Sequence, residues 1–449
     1  MTTVKLPPGP TSPGVVQMVH ALTNPLRGIP RLRDRYGDAI TINHLVFGRT
    51  VIISDAAEVR QLFQTSPDLV ENVQPNLGRV LGRGSMFALR GEEHRRQRKL
   101  LIPPFHGRRL AAYEGIVEEE TERELASWPR DRPFATMPSM MRITLNAILR
   151  AVFGAEGAEF ERLRALLPPM VALGSKLALL PIPMIDLGRF SPWGRFWAMR
   201  RRYDAIVESL LAKAEQGDLD GREDILAMML QSRYDDGSTM DHREIADQLL
   251  TLLTAGHETT ATTLAWAIER LRRHPRVLDA LVEEVDRGGD ALRQATLVEV
   301  QRTRPVIDIT GRRVKAEQFQ LGRWTLPQGC TILVSIALLH VDGSVFPDPT
   351  TFDPYRFLDT KPDLYQWIPF GGGTRRCLGA AFASMEMNVV LRTMLRDFTL
   401  LPTDEPAERW HSRGVAYAPA KHGVAVVRRR RGVPPAHATA VGGLDAAAR

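Results

Sequence analysis

A short glycine-rich run near the end of the chain contains a cysteine that could bind a metal ion. Residues 370–379 read Phe-Gly-Gly-Gly-Thr-Arg-Arg-Cys-Leu-Gly, with Cys377 just before a segment of helical pattern. Glycines let a backbone fold tightly and approach a ligand closely. A helix N-terminus and the neighbouring Arg375 and Arg376 favour the thiolate, which is the form of cysteine that ligates metals. Cys377 is therefore the leading candidate for a metal ligand.

The same run has two simpler interpretations. A glycine-rich segment with one cysteine is often a plain turn with a buried thiol. A phosphate-binding loop is the other alternative, but the pattern Gly-x-x-x-x-Gly-Lys-Ser/Thr is absent from the sequence. The other cysteine, Cys330, lies in a run of strand pattern, and we expect it to be dispensable.

A second motif, Ala-Gly-His-Glu-Thr-Thr over residues 255–260, lies within the longest helical pattern. A threonine in a helix usually donates to the carbonyl group four residues earlier and has no further role. A buried Glu258 beside the hydroxyl of Thr259 would also suit the proton delivery that general acid catalysis requires. A zinc site is excluded, because His-Glu-x-x-His would need a histidine where Ala261 stands.

Two further pairs of polar residues have the spacing of one helix face. Glu299 and Arg302 are three residues apart, which alone predicts an ordinary surface ion pair of little energetic value. His94 and Arg98 are four residues apart in a basic segment. Such a segment is most often a solvated helix face, although an arginine there could also bind a carboxylate through two hydrogen bonds.

Together these motifs resemble those of the cytochrome P450 superfamily. Residues 370–379 fit the Phe-x-x-Gly-x-x-x-Cys-x-Gly pattern of its haem-binding loop, and residues 255–260 fit its oxygen-activation motif. Glu299 and Arg302 fit its Glu-x-x-Arg motif. The motifs follow the family's order across residues 94–379, so the resemblance covers nearly the whole chain except the C-terminal tail.

The resemblance implies a role for each candidate residue. Cys377 would be the iron ligand of haem b (iron protoporphyrin IX), Thr259 would contact the dioxygen bound there, and Glu258 would relay protons. Glu299 and Arg302 would pair with Arg356 in a structural cluster that holds the cysteine loop. The further haem-binding residues that the resemblance implies are His94, Arg98, Arg313 (chosen over Arg312), Phe370, Gly373, Arg375 and Gly379. His94 departs from the family's commoner tryptophan.

The predicted elements would hold these residues in a mainly helical framework. From about residue 56 to 285 the pattern is helical, and residues 241–274 form its longest stretch. This stretch is apolar or small nearly all round, which is typical of a helix buried on every side. Strand-like patterns lie near residues 38–54, 312–336 and 413–427. We expect a mainly α protein with a smaller β part and the cytochrome P450 fold, with the long central helix over the haem.

Length and charge bound the class of protein. The chain has 449 residues and a net charge of +7, which suits one large soluble domain. We expect a single haem domain over residues 1–427 and a basic, disordered tail over residues 428–449. Because the tail carries much of the positive charge, we expect no nucleic-acid partner. With two cysteines, no signal-peptide pattern and no apolar run of membrane-spanning length, we expect a cytoplasmic protein without a transmembrane anchor.

Apolar segments outside the motifs predict a cavity for a lipophilic substrate. Residues 166–190 are unusually apolar, which fits core packing, a membrane-touching surface or, as we prefer, a flexible lid over the cavity. Residues 73–88 are expected to form a second loop beside it. The residues predicted to line the cavity are Phe87, Leu252, Ala255, Val306 and Val415.

The resemblance implies a haem-thiolate monooxygenase, an oxidoreductase that takes electrons from paired donors and inserts one atom of dioxygen into an organic substrate. The chain has no room for a flavin or ferredoxin domain, so electrons from NAD(P)H are expected through a separate ferredoxin reductase and ferredoxin. The expected docking patch consists of Arg95, Arg96, Lys99 and Arg376. The alternatives are a peroxide-driven oxygenase or isomerase on the same fold, a non-catalytic haem sensor or carrier, and a nucleic-acid binder acting through the tail.

Overall fold

The computed structural model of the chain describes residues 3–17, 28–73, 77–154, 157–179, 183–219 and 221–430, most of which are helical. The helices, in chain order, are α1 (Gly28–Tyr36), α2 (Ala56–Gln64), α3 (Leu77–Leu81), α4 (Gly91–Leu101), α5 (Arg108–Leu125), α6 (Met137–Phe153), α7 (Ala158–Leu179), α8 (Pro192–Gln216), α9 (Ile225–Gln231), α10 (His242–Leu271), α11 (Pro275–Asp286), α12 (Ala291–Thr303), α13 (Ile336–Leu339) and α14 (Ala380–Asp397). Single 3-10 turns cover Pro103–Phe105, Gly188–Phe190, Pro354–Phe357 and Gly373–Arg375.

The strands are short and form one larger sheet and several small ones. They are β1 (Ala39–His44), β2 (Gly48–Ile53), β3 (Val70–Asn72), β4 (Phe134–Ala135), β5 (Ile309–Val314), β6 (Gln318–Leu321), β7 (Trp324–Pro327), β8 (Thr331–Ser335), β9 (Phe398–Leu400), β10 (Trp410–Ser412), β11 (Tyr417–Pro419), β12 (Val424–Ala425) and β13 (Val427–Arg429). The five-stranded sheet has the order β1-β2-β8-β5-β3, and the remaining strands pair as β6-β7, β4-β12, β9-β13 and β10-β11.

Helix α10 is the long central helix that the sequence predicts. Its N-terminus is fixed by a capping box: the Asp241 side chain accepts from the Glu244 N–H (2.7 Å), and the Glu244 side chain accepts from the Asp241 N–H (3.0 Å). Side chains are buried on nearly every face of the helix. Helix α6 lies along it, and the Thr144 hydroxyl donates to the His257 carbonyl (3.0 Å). These contacts fix residues 255–260 against α6.

Helix α7 is longer than its sequence pattern predicts. The helical pattern ends near residue 167, because Pro168 and Pro169 follow, yet the helix continues to Leu179. Met170 and Leu177, beyond the prolines, are buried in the helical core. Burial of this apolar face outweighs the backbone hydrogen bonds that the two prolines cannot donate.

The C-terminal strands correct the predicted boundary of the tail. Residues 428–430, expected in the disordered tail, belong to the folded part of the protein: β13 pairs antiparallel with β9, and Arg430 forms an ion pair with Asp286 (2.7 Å). The burial of Val427 and the two-stranded pairing hold this end of the chain. Residues 431–449 lie outside the described residues, so the rest of the expected tail stays a prediction.

Three large apolar cores and one small cluster lie within the described residues. The first joins α3, α7, α8, α9 and the N-terminal half of α10, the second joins α5, α6, α14 and the C-terminal half of α10, and the third fills the space around the five-stranded sheet. None of the helices within the described ranges is long and apolar enough to cross a membrane. The cysteine loop comes immediately before α14.

Candidate functional site

Cys377 lies in a tight loop that packs on the end of α2. Its backbone N–H donates to the Phe370 carbonyl (2.9 Å). A Cβ atom at Gly372 would collide with the ring of Phe63, and one at Gly373 would lie 2.5 Å from the Phe63 carbonyl oxygen. Gly373 also has a φ of +63°, which side chains rarely permit. The loop needs glycine at both positions because it is pressed against α2.

The side chain of Cys377 is accessible although protein surrounds it on most sides. Its side chain is exposed, yet burial by the surrounding protein raises the pKa of the Cys377 thiol. The Gly379 N–H and the guanidinium groups of Arg98 and Arg376 lower that pKa and so favour the thiolate. A Cβ atom at Gly379 would meet no other atom within 4 Å, which leaves room for a flat ligand beside the sulfur. The loop therefore fits a thiolate ligand for haem iron.

A cluster of cations surrounds His94 next to this loop. His94 is buried, and its pKa is lowered to about 3, first by burial and then by the charges of Arg375, Arg98 and Arg312. Burial, together with nearby positive charges, also lowers the pKa of Arg312 and of Arg375 to about 10. None of these three arginines pairs with a carboxylate among the described residues. Partly buried like charges of this kind suit an anionic ligand, and the two carboxylates of haem are such groups.

The two most buried arginines of the cluster are held by backbone carbonyl groups. Arg375 donates to the carbonyls of Met86 (2.8 Å) and Leu89 (2.6 Å), and Arg312 donates to the carbonyl of Gly372 (3.0 Å). Neutral carbonyl groups orient a guanidinium group without cancelling its charge. The arginines are thus positioned while their charge stays available to a ligand.

Arg312, rather than the predicted Arg313, belongs to the cation cluster around His94, together with Arg98 and Arg375. Successive residues of a strand point to opposite faces, so the two adjacent arginines of β5 point away from each other. Arg312 is buried beside His94 and Arg375, whereas Arg313 is half-buried and its Nε has no hydrogen-bond partner among the described residues. The sequence pattern does not indicate which face of β5 each arginine occupies. A role of Arg313 in haem binding stays a prediction.

One face of α10 is open although most of the helix is buried. Ala255 is exposed, and Leu252 and Thr259 are half-buried, as expected for residues that line a cavity. The helix continues through residues 255–260 without a break, and the Thr259 hydroxyl donates to the Ala255 carbonyl (2.8 Å). That bond uses the single proton of the hydroxyl and leaves its oxygen able to accept a further hydrogen bond.

The carboxylate of Glu258, next to Thr259 in the chain, is engaged in an ion pair. Its side chain is buried and accepts from Nε of Arg413 (2.8 Å). Arg413 follows β10, 155 residues further along the chain. A single arginine in the C-terminal turn carries no sequence signal for this contact, and only the fold brings the two residues together.

The Glu-x-x-Arg pair is buried and makes many hydrogen bonds. Arg302 donates to both carboxylate oxygens of Glu299 (2.7 Å each), and Nε of Arg356 lies 3.6 Å from Glu299. Arg302 also donates to the carbonyl groups of His340, Pro349 and Thr351 at 2.8, 2.7 and 3.0 Å. The structure brings the three predicted residues of this cluster together.

His340 connects this cluster to the cysteine loop. Its carbonyl accepts from Arg302, and its Nε2 accepts from the Ile368 N–H (3.0 Å). Ile368 in turn accepts from the Gly371 N–H (2.9 Å), the first glycine of the loop. No motif in the sequence marks His340, so its place in this chain of contacts appears only in the structure.

The residues predicted to line the substrate cavity are spread over several elements. Val306 accepts from the Tyr417 N–H (2.9 Å), and Val415 donates to the Ser175 hydroxyl of α7 (2.9 Å). Phe87 lies in the wall of an outer cavity of about 1270 Å³ between α3, α8 and the start of α10. Its lining is rich in charged residues, so Phe87 is not enclosed by apolar groups on all sides.

The segment predicted to be a lid exposes several large apolar side chains. Met184, Ile185, Leu187 and Phe190 are 41, 55, 62 and 77% exposed. Residues 180–182, and residues 74–76 of the second predicted loop, lie outside the described residues. The lid and its membrane-touching alternative both stay predictions.

Comparisons with known proteins agree with this site. A family model described as "Cytochrome P450" matches residues 7–425. The chain is 56% identical over 429 residues to "Putative cytochrome P450 138" of Mycobacterium tuberculosis, covering 95% of this chain and 97% of that protein. It is 38% identical over 461 residues to "Putative cytochrome P450 135B1" of the same species, covering 99% and 96%. The solved structure "Retinoic acid bound cyanobacterial CYP120A1" superposes with a TM-score of 0.84 at 23% identity, covering 96% of this chain and 100% of that one.

The chain belongs to the cytochrome P450 family. The predicted family and the predicted mainly α fold with small sheets are therefore confirmed. Members of this family are oxidoreductases that use haem iron and dioxygen in monooxygenation, with small-molecule substrates and redox partners.

Proposed function

We propose that this protein is a monooxygenase of lipophilic small molecules, with haem b held by the Cys377 thiolate and the cation cluster of Arg98, Arg312 and Arg375. The observation that carries the proposal is the accessible Cys377 side chain, largely surrounded by protein, beside partly buried cations that have no carboxylate partner among the described residues. The haem, when bound, supplies the iron on which dioxygen is activated.

The cation cluster would orient the haem by binding its two carboxylates. Arg375 and Arg312 are pre-positioned by backbone carbonyl groups, so little side-chain entropy is lost on binding. His94 is neutral at physiological pH because of its low pKa, and can donate one neutral hydrogen bond without adding repulsion. Phe370 accepts from the Cys377 N–H (2.9 Å) and the Gly379 N–H favours the thiolate, so both are proposed to support the ligand.

Thr259 and Glu258 would deliver protons to the open face of α10. The Thr259 oxygen can accept a hydrogen bond from a water or a reacting group and pass its own proton on. Glu258 is the nearest carboxylate along the helix, and its ion pair with Arg413 must loosen for it to exchange a proton with the cavity. Activation of dioxygen requires protons, whereas a peroxide-driven oxygenase or an isomerase needs no proton relay. The pair of Glu258 and Thr259 therefore favours a dioxygen-dependent monooxygenase.

The electron donors proposed are a ferredoxin and a ferredoxin reductase that draws on NAD(P)H, in the cytoplasm. Three of the four basic residues in the predicted docking patch are already paired with carboxylates. Arg96 pairs with Asp236 (2.7 Å), Lys99 pairs with Asp235 (2.7 Å), and Arg95 pairs with Glu92 (2.5 Å). Arg376, exposed next to Cys377, is the basic residue of the patch that stays available to an acidic partner.

The reduced carbon-monoxide spectrum tests the proposal with a matched pair of variants. Cys377→Ser should abolish the thiolate absorption band and substrate-dependent NAD(P)H consumption with ferredoxin and reductase. Cys330→Ser should leave both unchanged, because Cys330 is buried beside the five-stranded sheet. A normal thiolate spectrum in Cys377→Ser would refute the assignment. An intact thiolate spectrum in the wild type, without any oxidised product, would favour a haem sensor.

A further inference from the structure

The loop between α7 and α8 exposes large apolar side chains to solvent. Met184, Ile185, Leu187 and Phe190 are at least 41% exposed, and Phe190 is the most exposed large apolar residue among the described residues. Single exposed apolar side chains are normal on soluble proteins. Four of them within residues 184–190 form an apolar patch, which is typical of a surface that contacts a partner. We call residues 184–190 the apolar loop.

Hydrogen bonds fix the backbone of the apolar loop. The Ser191 hydroxyl donates to the Ile185 carbonyl (2.9 Å). The same hydroxyl oxygen accepts from the N–H groups of Leu187 and Gly194, at 3.0 Å each. The loop also packs tightly on α8, since a Cβ atom at Gly194 would lie 2.0 Å from the Gly188 carbonyl oxygen. The apolar side chains are therefore held outward on a well-defined backbone, and little conformational entropy is lost when they contact a partner.

Three exposed arginines lie in or beside the apolar loop. Asp186 is the only acidic residue between positions 162 and 203 of the sequence. Arg189 lies within the loop, and Nε of Arg195 donates to its carbonyl group (3.0 Å). Arg201 lies 3.9 Å from Asp186. Because all three arginines are exposed, the loop presents positive charge together with its apolar side chains.

This combination favours a lipid surface over a second copy of the chain. In a symmetric dimer the same patch would meet itself, so the arginines of the two copies would lie close together and repel each other. A membrane with anionic phospholipids offers negative headgroups to the arginines and an apolar region to the four side chains. Both kinds of contact then contribute to binding.

We infer that the apolar loop is a docking surface for a membrane that contains anionic phospholipids. Leu187 and Phe190 would enter the boundary between headgroups and acyl chains. The three arginines would contact the lipid phosphates. The contact is peripheral, because the loop is too short to reach across a bilayer. This inference goes beyond the proposed function and does not depend on the haem.

Met184 connects the apolar loop to the outer cavity. It belongs to the loop and also lines the cavity of about 1270 Å³ between α3, α8 and the start of α10, together with Phe87 and Trp197. Since Met184 is also exposed on the surface, a membrane on the loop would lie beside that cavity. A lipophilic substrate dissolved in the membrane would then have a short path through water, a consequence that rests on the proposed function.

Co-sedimentation of the full chain with lipid vesicles tests the docking surface. The wild type should bind vesicles of equal parts phosphatidylglycerol and phosphatidylcholine, and should bind pure phosphatidylcholine vesicles less tightly. Leu187→Ser should lower the affinity for the mixed vesicles about ten-fold, because an apolar contact with the bilayer is lost. Leu364→Ser is the matched control and should bind as the wild type does, since Leu364 is an exposed leucine outside the loop.

A second pair of variants tests the contribution of charge. Arg189→Gln should lower the affinity for the mixed vesicles about five-fold and leave binding to pure phosphatidylcholine unchanged. Arg287→Gln, which removes an arginine from a surface ion pair at the end of α11, is the control and should change neither affinity.

The inference is overturned if the wild type does not bind the mixed vesicles. It is also overturned if binding is unchanged in both Leu187→Ser and Arg189→Gln, which would place the membrane contact elsewhere in the chain. A wild-type dimer in sedimentation equilibrium that dissociates in Leu187→Ser would show that the loop binds a second copy instead. A thiolate carbon-monoxide spectrum beside any of these results leaves the proposed function standing, because vesicle binding and the haem site are measured separately.

Discussion

Arg413 changes how Glu258 can act in catalysis. The buried Glu258 carboxylate accepts from Nε of Arg413 at 2.8 Å, so this oxygen is occupied while the pair is closed. The pair spans α10 and the C-terminal turn, so its opening depends on the movement of that turn. Arg413 is therefore a positioning residue, which acts on the cavity through Glu258.

Replacing Arg413 should separate proton delivery from haem binding. We expect Arg413→Leu to lower turnover about ten-fold, because it leaves the buried Glu258 without its cation and in altered orientations. Haem content and the carbon-monoxide spectrum should stay normal. Arg413→Lys, which keeps the charge, should restore part of the turnover. The measurement is the fraction of NAD(P)H that yields product, together with the solvent isotope effect. A full yield of product in Arg413→Leu would contradict this role.

The cation cluster predicts opposite effects on the protein with and without haem. Arg312→Ala removes a buried charge that repels Arg375, so the haem-free protein should become more stable to urea. Its haem affinity should fall about ten-fold or more, because a charge-assisted hydrogen bond to a haem carboxylate is lost. Haem titration of the apoprotein measures the second effect. Arg313→Ala on the other face of β5 is the comparison, and Arg287→Ala, in a surface ion pair, is the control. A larger loss of haem affinity in Arg313→Ala than in Arg312→Ala would favour Arg313 as the haem-binding residue, as the sequence predicts.

The two adjacent arginines also show where sequence reasoning stops. Spacing relative to a motif identifies β5 as the source of a cation, but the face of each side chain depends on how the strand is paired. The register Arg312 with Ile332 is set by the sheet, which no local pattern specifies. Contacts across long stretches of chain, such as Glu258 with Arg413, are likewise decided by the fold.

At the level of elements, α10 and α14 meet through a buried acid. Glu386 of α14 is fully buried, and burial raises the pKa of its carboxyl well above the ordinary value. A hydrogen bond with the side chain of Thr260 in α10 offsets part of this rise. The helix after Cys377 and the helix that carries Thr259 are linked in this way.

This link should make the protein less stable as the pH rises. The unfolded chain releases the Glu386 proton near its ordinary pKa, whereas the folded protein retains it, so stability falls as the pH rises above about 4.5. Glu386→Gln keeps a neutral donor and should lose this part of the pH dependence. Urea unfolding at pH 5 and pH 8 measures it, with Glu317→Gln on the exposed surface as the control. A pH dependence that is the same in wild type and Glu386→Gln would rule out a buried neutral acid.

Some elements are readable from the sequence and some are not. The N-terminus of α10 is predicted because Asp241 caps it and its apolar pattern is unbroken. The extension of α7 through Pro168 and Pro169 is not predicted, since its stability comes from burial of residues beyond the prolines. The strand pattern near 413–427 divides among separate two-stranded sheets, because its partners lie elsewhere in the chain.

For the whole molecule, the charge around Cys377 predicts how an electron donor docks. Arg376→Glu should lower the rate of electron transfer from an acidic ferredoxin, most strongly at low ionic strength. Arg95→Glu should have a smaller effect, because the charge of Arg95 is already paired with Glu92. Stopped-flow reduction of the haem at two salt concentrations measures both. Equal effects of the two reversals would argue for the whole predicted patch, and no effect of either would place the docking surface elsewhere.

The parallel pairing of β2 with β8 has a consequence for how this protein folds during its synthesis. Residue Thr50 lies opposite Thr331, so the largest sheet joins segments separated by about 280 residues. A ribosome that adds about 5–20 residues per second needs tens of seconds to supply the second segment. During that time β1 and β2 have only each other, and an isolated two-stranded hairpin is marginal in water. The sheet that holds β5 and Arg312, the arginine proposed to bind haem, is therefore completed late, after most helices have been synthesised.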